Sequence, residues 1–197
     1  MLNIGVLISG GGTNLQAIID ETKSGGINGT VKLVISNKED AYGLESARLS
    51  GIKAIYETDE DKIIRLLKEN NIDLIVLAGY LKIITPKFVD EFRNKIINIH
   101  PSLIPSFCGK GYYGEKVHQG VIDYGAKITG ATVHFVDEGA DTGAIIMQET
   151  VNVEQDDDAK TLSKRVLEVE HRILKESIRL FCENKLSIQG RRVFINE

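Results

Sequence analysis

Ile4-Gly5-Val6-Leu7-Ile8-Ser9-Gly10-Gly11-Gly12-Thr13-Asn14-Leu15 carries the chain from an apolar run through three glycines into a stretch of helical spacing. A short continuous apolar run ending in glycine reads as a strand buried on both faces, and the helix after it completes one βα step of a parallel sheet. The same rhythm recurs downstream. Strands are predicted at 4–8, 31–35, 53–56, 74–77 and 95–99, and helices at 14–23, 42–49 and 61–69. Thr85-Pro86 marks another helix start ahead of Phe88 and Phe92, because proline suits the first helical turn. The predicted fold class is therefore α/β: a single-domain, doubly wound, Rossmann-like and mostly parallel sheet with a mixed C-terminal part.

The later part of the chain changes rhythm. Residues 128–136 and 144–153 read as two strands of a hairpin or bent pair, joined by Asp137-Glu138-Gly139-Ala140-Asp141-Thr142-Gly143. Asp156-Asp157-Asp158 precedes a long helix, where acidic residues suit the positive end of the helix dipole. In that helix Leu162, Val166, Val169, Ile173 and Leu180 form an apolar stripe. Residues 186–195, broken by Gly190, read as an extra terminal hairpin.

A chain of 197 residues can bury roughly 70% of its unfolded surface, enough for a self-sufficient core. With 42% apolar and 26% charged residues the composition is that of a globular protein, and the net charge of -4 offers no general attraction to nucleic acid. No nucleic-acid partner is expected. Cys108 and Cys182 stand far apart without a CxxC spacing, so free thiols in a reducing compartment are expected, with neither a disulfide framework nor a metal site. No apolar run reaches the ~20 residues that cross a bilayer. A strand pattern begins almost at Met1, without a charged leader, and a cytoplasmic location is expected.

Three segments carry candidate chemistry. Glycines at the first βα turn let a backbone approach a ligand, and a helix N-terminus offers free N–H groups to a phosphate. The pattern is neither a Walker loop nor GxGxxG, and glycines can also simply serve a turn. In Asn98-Ile99-His100-Pro101-Ser102-Leu103-Ile104-Pro105, strand alternation puts Asn98 and His100 on one face, at the carboxyl end of a strand where ligands of open α/β sheets bind. A carboxylate of the 137–143 loop beside His100 would favour its charged form; a turn of solvated acids is the competing account. Glu170 falls on the stripe of the long helix and needs either an ion-pair partner at the stripe's edge or a ligand. His118 and His134 are left outside the catalytic set, His134 being equally consistent with a core histidine.

Ser9-Gly10-Gly11-Gly12-Thr13-Asn14, Leu77-Ala78-Gly79-Tyr80-Leu81-Lys82-Ile83, Asn98-Ile99-His100-Pro101-Ser102-Leu103-Ile104-Pro105 and Thr132-Val133-His134-Phe135-Val136-Asp137 through Asp141-Thr142-Gly143 together resemble the phosphoribosylglycinamide formyltransferase family, in the right order over nearly the whole chain. The resemblance implies formyl transfer from 10-formyltetrahydrofolate to the amine of phosphoribosylglycinamide in purine biosynthesis, without a metal. It implies an N-terminal phosphate-binding half, about 1–100, and a C-terminal folate and catalytic half, about 101–197. It places Gly12, Thr13 and Asn14 on the substrate phosphate and Glu170 near its ribose or glycinamide part. Leu81, Lys82, Ile83 and Ile84 would line the folate pocket with Asp137, Glu138, Gly139, Ala140 and Asp141. Asn98, His100 and Asp141 would form the catalytic set, with Asp141 holding His100 protonated and titrating above an ordinary histidine.

Two departures from the family pattern stand out: a longer loop at 108–114, and an acidic stretch at 57–61 where a basic residue often faces the folate tail, for which Lys62 is the substitute at hand. The resemblance leaves open another formyltetrahydrofolate-dependent enzyme, either a transferase such as methionyl-tRNA formyltransferase or a deformylase. From a different class, the glycine turn alone would also fit a dinucleotide-dependent reductase or a non-catalytic phosphate-binding module.

Overall fold

Five parallel strands and four helices alternate through the first hundred residues of the computed structural model, which describes residues 1–196. The strands are β1 (Leu2–Ile8), β2 (Gly29–Ser36), β3 (Lys53–Tyr56), β4 (Leu74–Leu77) and β5 (Ile96–His100); the helices are α1 (Thr13–Ser24), α2 (Tyr42–Leu49), α3 (Glu60–Glu69) and α4 (Pro86–Glu91). The continuous apolar run of β1 serves both faces of the sheet. Ile4, Val6 and Ile8 pack with Leu15 and Ile18 of α1 on one side, whereas Leu7 joins Ile63, Leu67 and Phe88 of α3 and α4 on the other.

Antiparallel and mixed pairing completes the sheet. After α5 (Glu115–Tyr124) come β6 (Ile128–Phe135), β7 (Ile145–Asn152), α6 (Ala159–Cys182), β8 (Leu186–Gln189) and β9 (Arg192–Ile195). The strand order is β3-β2-β1-β4-β5-β6-β7-β9-β8. β6 runs antiparallel to β5 and to β7, so the expected hairpin is present, and β8 with β9 forms the expected terminal pair. Chain order reverses beside β1, which leaves a crevice at the carboxyl ends of β1 and β4.

Helix α5 has no counterpart in the sequence reading. Its apolar signal is short, Val117 and Val121, and Gly120 within it lowers helix propensity. That glycine has a packing reason: a Cβ there would lie 3.0 Å from the ring of Tyr112 in the preceding loop. Helix α6, by contrast, starts where the acidic run predicts. The Asp158 side chain accepts from the Thr161 backbone N–H at 2.7 Å, and the Thr161 hydroxyl accepts from the Asp158 N–H at 2.9 Å, a reciprocal cap worth about 1 kcal/mol. Its stripe of Leu162, Val166, Val169, Ile173 and Leu180 is buried as expected.

Candidate active site

At the switch point, the Ser9–Asn14 turn is shaped by what its glycines lack. Gly12 caps α1 at φ +75, a left-handed conformation, and a Cβ on it would lie 2.9 Å from the Gly43 Cα. Around Gly10 and Gly11 no atom would meet an added Cβ, so the solvent side of the turn is open. Ser9 ties the turn to the next segment: its hydroxyl donates to Asn37 Oδ1 at 2.6 Å and accepts from the Leu81 N–H at 2.8 Å. Behind the turn, Asn14 Nδ2 donates to Glu170 Oε2 at 2.8 Å. Both residues are only 8% exposed. Burial pushes the Glu170 carboxyl above its ordinary range, and the Asn14 bond offsets only part of that. The ion pair weighed for Glu170 is thus replaced by an amide contact, and Asn14 Oδ1 is left buried without a partner.

The second constellation is built at the end of β5. Pairing with β6 sets Asn98 opposite His134 and His100 opposite Thr132. The Thr132 hydroxyl donates to the Ser102 carbonyl at 2.6 Å and accepts from the Ile104 N–H at 3.1 Å, holding the turn after His100. Ser102 Oγ donates to the Ser106 carbonyl at 2.6 Å. In this arrangement the Phe107 carbonyl lies 2.9 Å from His100 Nε2. A carbonyl can only accept, so Nε2 carries the proton, and in the neutral ring Nδ1 keeps its lone pair. That Nδ1 stands 3.6 Å from Asp141 Oδ2.

His134, which the sequence reading set aside, belongs to this cluster. Its Nδ1–H donates to the Phe135 carbonyl at 2.8 Å, so Nε2 of the neutral ring accepts from Asn98 Nδ2 at 3.1 Å. The other Asn98 N–H points at Asp141 Oδ1 from 3.5 Å, and His134 Nε2 is 3.7 Å from the same oxygen. No local signal marks His134: only the pairing of β5 with β6 brings it opposite Asn98.

Asp141 reaches this place on a loop held in an unusual shape. Its φ is +57, a left-handed value that aspartate tolerates better than most residues. The Gly109 N–H donates to its Oδ2 at 2.8 Å. Burial pushes the Asp141 carboxyl up, but His134, His100 and the Gly109 N–H together outweigh it and hold the group below its ordinary range. For His100 the balance goes the other way. Burial pulls it below an ordinary histidine despite the nearby Asp141, which corrects the expectation of a raised value: the ring is only 4% exposed, and a desolvated cation costs more than a carboxylate 3.6 Å away returns.

A cavity of about 350 Å³ opens beside the cluster, within the range of small-molecule sites. The 81–84 segment lines it, as do Asp137, Gly139, Ala140 and Asp141, together with Asn98, His100 and His134. Glu138 is not in its wall and instead pairs with Arg93. Gly12, Thr13, Asn14 and Glu170 also lie outside it, so the two constellations are neighbouring but separate. Residues 109–114 of the longer loop also line the cavity, including Tyr112 and Tyr113. Lys82 reaches from the wall to donate to the Thr58 carbonyl at 2.8 Å, whereas Lys62 is 3.8 Å from Glu57 within the acidic stretch. No group of three or more His, Cys, Asp or Glu among the described residues could hold a metal ion.

The formyl transferase family model matches residues 2–178. Phosphoribosylglycinamide formyltransferase of Haemophilus influenzae is 42% identical over all of this chain and 94% of its own length. The chloroplastic protein of that name from Vigna unguiculata is 41% identical over 93% of this chain, which spans 62% of the plant protein. Among solved structures, glycinamide ribonucleotide transformylase 1 from Symbiobacterium toebii superposes with a TM-score of 0.94 at 44% identity, covering 100% of this chain and 95% of that one.

Proposed function

Because this chain belongs to the formyl transferase family, we propose that it transfers the formyl group of 10-formyltetrahydrofolate to the amine of phosphoribosylglycinamide, a step of purine biosynthesis. The observation that carries this reading is the meeting of Asn98, His100 and Asp141 at the carboxyl end of β5, beside a cavity with apolar walls. Leu81, Ile83 and Ile84 offer a flat apolar ring system the surface it needs, and the backbone of Asp137, Gly139 and Ala140 offers polar contacts at its edge. The folate, when bound there, supplies the formyl carbon. Gly12, Thr13 and Asn14 at the start of α1 take the acceptor's phosphate, where free N–H groups and the helix dipole favour an anion. Glu170 and Asn14 meet the ribose or glycinamide part.

Proton traffic falls to His100. Burial favours the neutral ring, and in that form Nδ1, facing Asp141, takes the proton that the attacking amine loses. The imidazolium formed is then stabilised by Asp141 at 3.6 Å and can pass the proton to the departing nitrogen. This replaces the resting imidazolium expected from the sequence. Asn98 is held by its bond to His134, and its second N–H, only loosely engaged by Asp141 at 3.5 Å, is the donor available to the oxyanion that develops on the formyl oxygen. Both partners are small molecules, and the free thiols of Cys108 and Cys182 suit a reducing cytoplasm.

Incubation with 10-formyltetrahydrofolate, following folate product with and without phosphoribosylglycinamide, tests the reading. Product that appears only with the acceptor supports it. Product without the acceptor identifies a hydrolase, and no product in either case removes the assignment.

A further inference from the structure

The matched family region ends at residue 178, yet the chain beyond it returns to the candidate site. β8 and β9 form a hairpin whose Gln189 and Arg192 are paired, leaving Gly190-Arg191 as a two-residue turn. Gly190 supplies the positive φ of +62 that such a tight turn needs. Leu186, Ile188 and Val193 pack against the main core, and Arg192 pairs with Ile145 at the start of β7. The hairpin is thus anchored on both sides. At its tip, Arg191 Nη2 donates to the Thr142 carbonyl at 2.9 Å.

Thr142 is the residue after Asp141, and the Asp141 side chain is tied by the Gly109 N–H at 2.8 Å. At its far end Gly143 lies against the Phe135 carbonyl so closely that a Cβ would be 1.7 Å from that oxygen. Near its start Glu138 pairs with Arg93, and the Thr142 hydroxyl turns inward onto Asp137. Between these points stands Asp141, in the left-handed region, with its side chain held by the Gly109 N–H. Arg191 holds the peptide unit that follows it.

We propose that the C-terminal hairpin is a strap for the 137–143 loop, with Arg191 a positioning residue that keeps Asp141 aimed at His100 through the Thr142 carbonyl. The catalytic part of this proposal rests on the formyl-transfer reading. The mechanical part does not. Arg191→Ala removes the donor from an exposed position without opening the core, while Arg191→Lys keeps a charge and a donor on a flexible stem.

Hydrogen exchange of the 137–143 amides tests the strap without any substrate: Arg191→Ala should speed it roughly three- to tenfold, with exchange in β5 and β6 unchanged. In steady-state assays kcat should fall by a similar factor, the acceptor KM should hold, and the kcat–pH limb belonging to His100 should move to lower pH as Asp141 loses its aim. Arg191→Lys should recover part of the loss. Unchanged exchange in the loop overturns the strap. Raised exchange with unaltered kcat and pH profile overturns the positioning role, as does a loss spread equally over both substrates and accompanied by a lowered Tm. If the wild-type protein transfers no formyl group while loop exchange still responds, the functional reading fails and the strap stands.

Discussion

The Ser9–Asn14 turn and the Asp141 cluster stand at the carboxyl ends of one sheet but are made of different material. The turn works through backbone and through absent side chains, with Gly12 at φ +75 and open space around Gly10 and Gly11. The cluster works through four polar side chains whose protons are assigned by their neighbours. Damage to the first should therefore appear in acceptor binding with little pH dependence, and damage to the second in turnover and in its pH profile.

Asp141→Asn should give the largest effect. It keeps the side chain's size but removes the charge that stabilises imidazolium, so turnover should fall by roughly 10²–10⁴ while acceptor affinity stays nearly constant. Loss of the carboxylate's upward pull should also move His100 still lower in a histidine NMR titration. An unmoved His100 with turnover within a few-fold of wild type would remove Asp141 from the mechanism.

Gly12→Val should come next and should break the other side. Valine would be forced into a left-handed conformation with its Cβ 2.9 Å from Gly43, strain on the order of 1–3 kcal/mol. Acceptor affinity measured by calorimetry should drop roughly ten- to a hundredfold, with folate affinity largely kept. Equal loss of both ligands would mean that the two regions are not separable.

A smaller change is expected from Glu170→Gln, since burial already favours the protonated carboxyl and glutamine can still accept from Asn14. The acceptor KM should rise by roughly three- to tenfold with the folate KM unchanged. A fall in Tm with no change in either KM would make Glu170 a packing residue only.

The mildest effect lies behind the cluster, at His118. It is 3% exposed, and burial, aided by His100, pulls its pKa down to about 4. A group whose folded pKa lies below its unfolded value of 6.5 stabilises fully above that value, and this contribution is lost as pH falls toward 4. His118→Gln should therefore reduce the Tm loss between pH 7 and pH 5 by roughly 2–4 °C. An identical acid dependence in the two proteins would show that His118 does not set it.

Much of this was legible residue by residue. The apolar runs 4–8 and 74–77 announced buried parallel strands, the acidic run before α6 announced its cap, and strand alternation put Asn98 and His100 on one face. Helix α5 was missed because Gly120 weakens its local signal while Tyr112 supplies the packing that justifies it. His134 was set aside because a histidine in a strand has no local mark of function. Only the register of β5 against β6 brings it to Asn98.

By itself the sequence determined the βα rhythm, the open glycine turn and the placement of an Asn-x-His pair at a strand end, since helix and strand periods and glycine's freedom at positive φ are properties of a few neighbouring residues. Tertiary structure alone decided that Glu170 meets Asn14 instead of a cation, that Arg191 returns to the loop of Asp141, and that burial pulls His100 below an ordinary histidine. The last outcome depends on how much water the fold removes from the ring against how closely it brings Asp141 and the Phe107 carbonyl, and no local stretch of chain contains that balance.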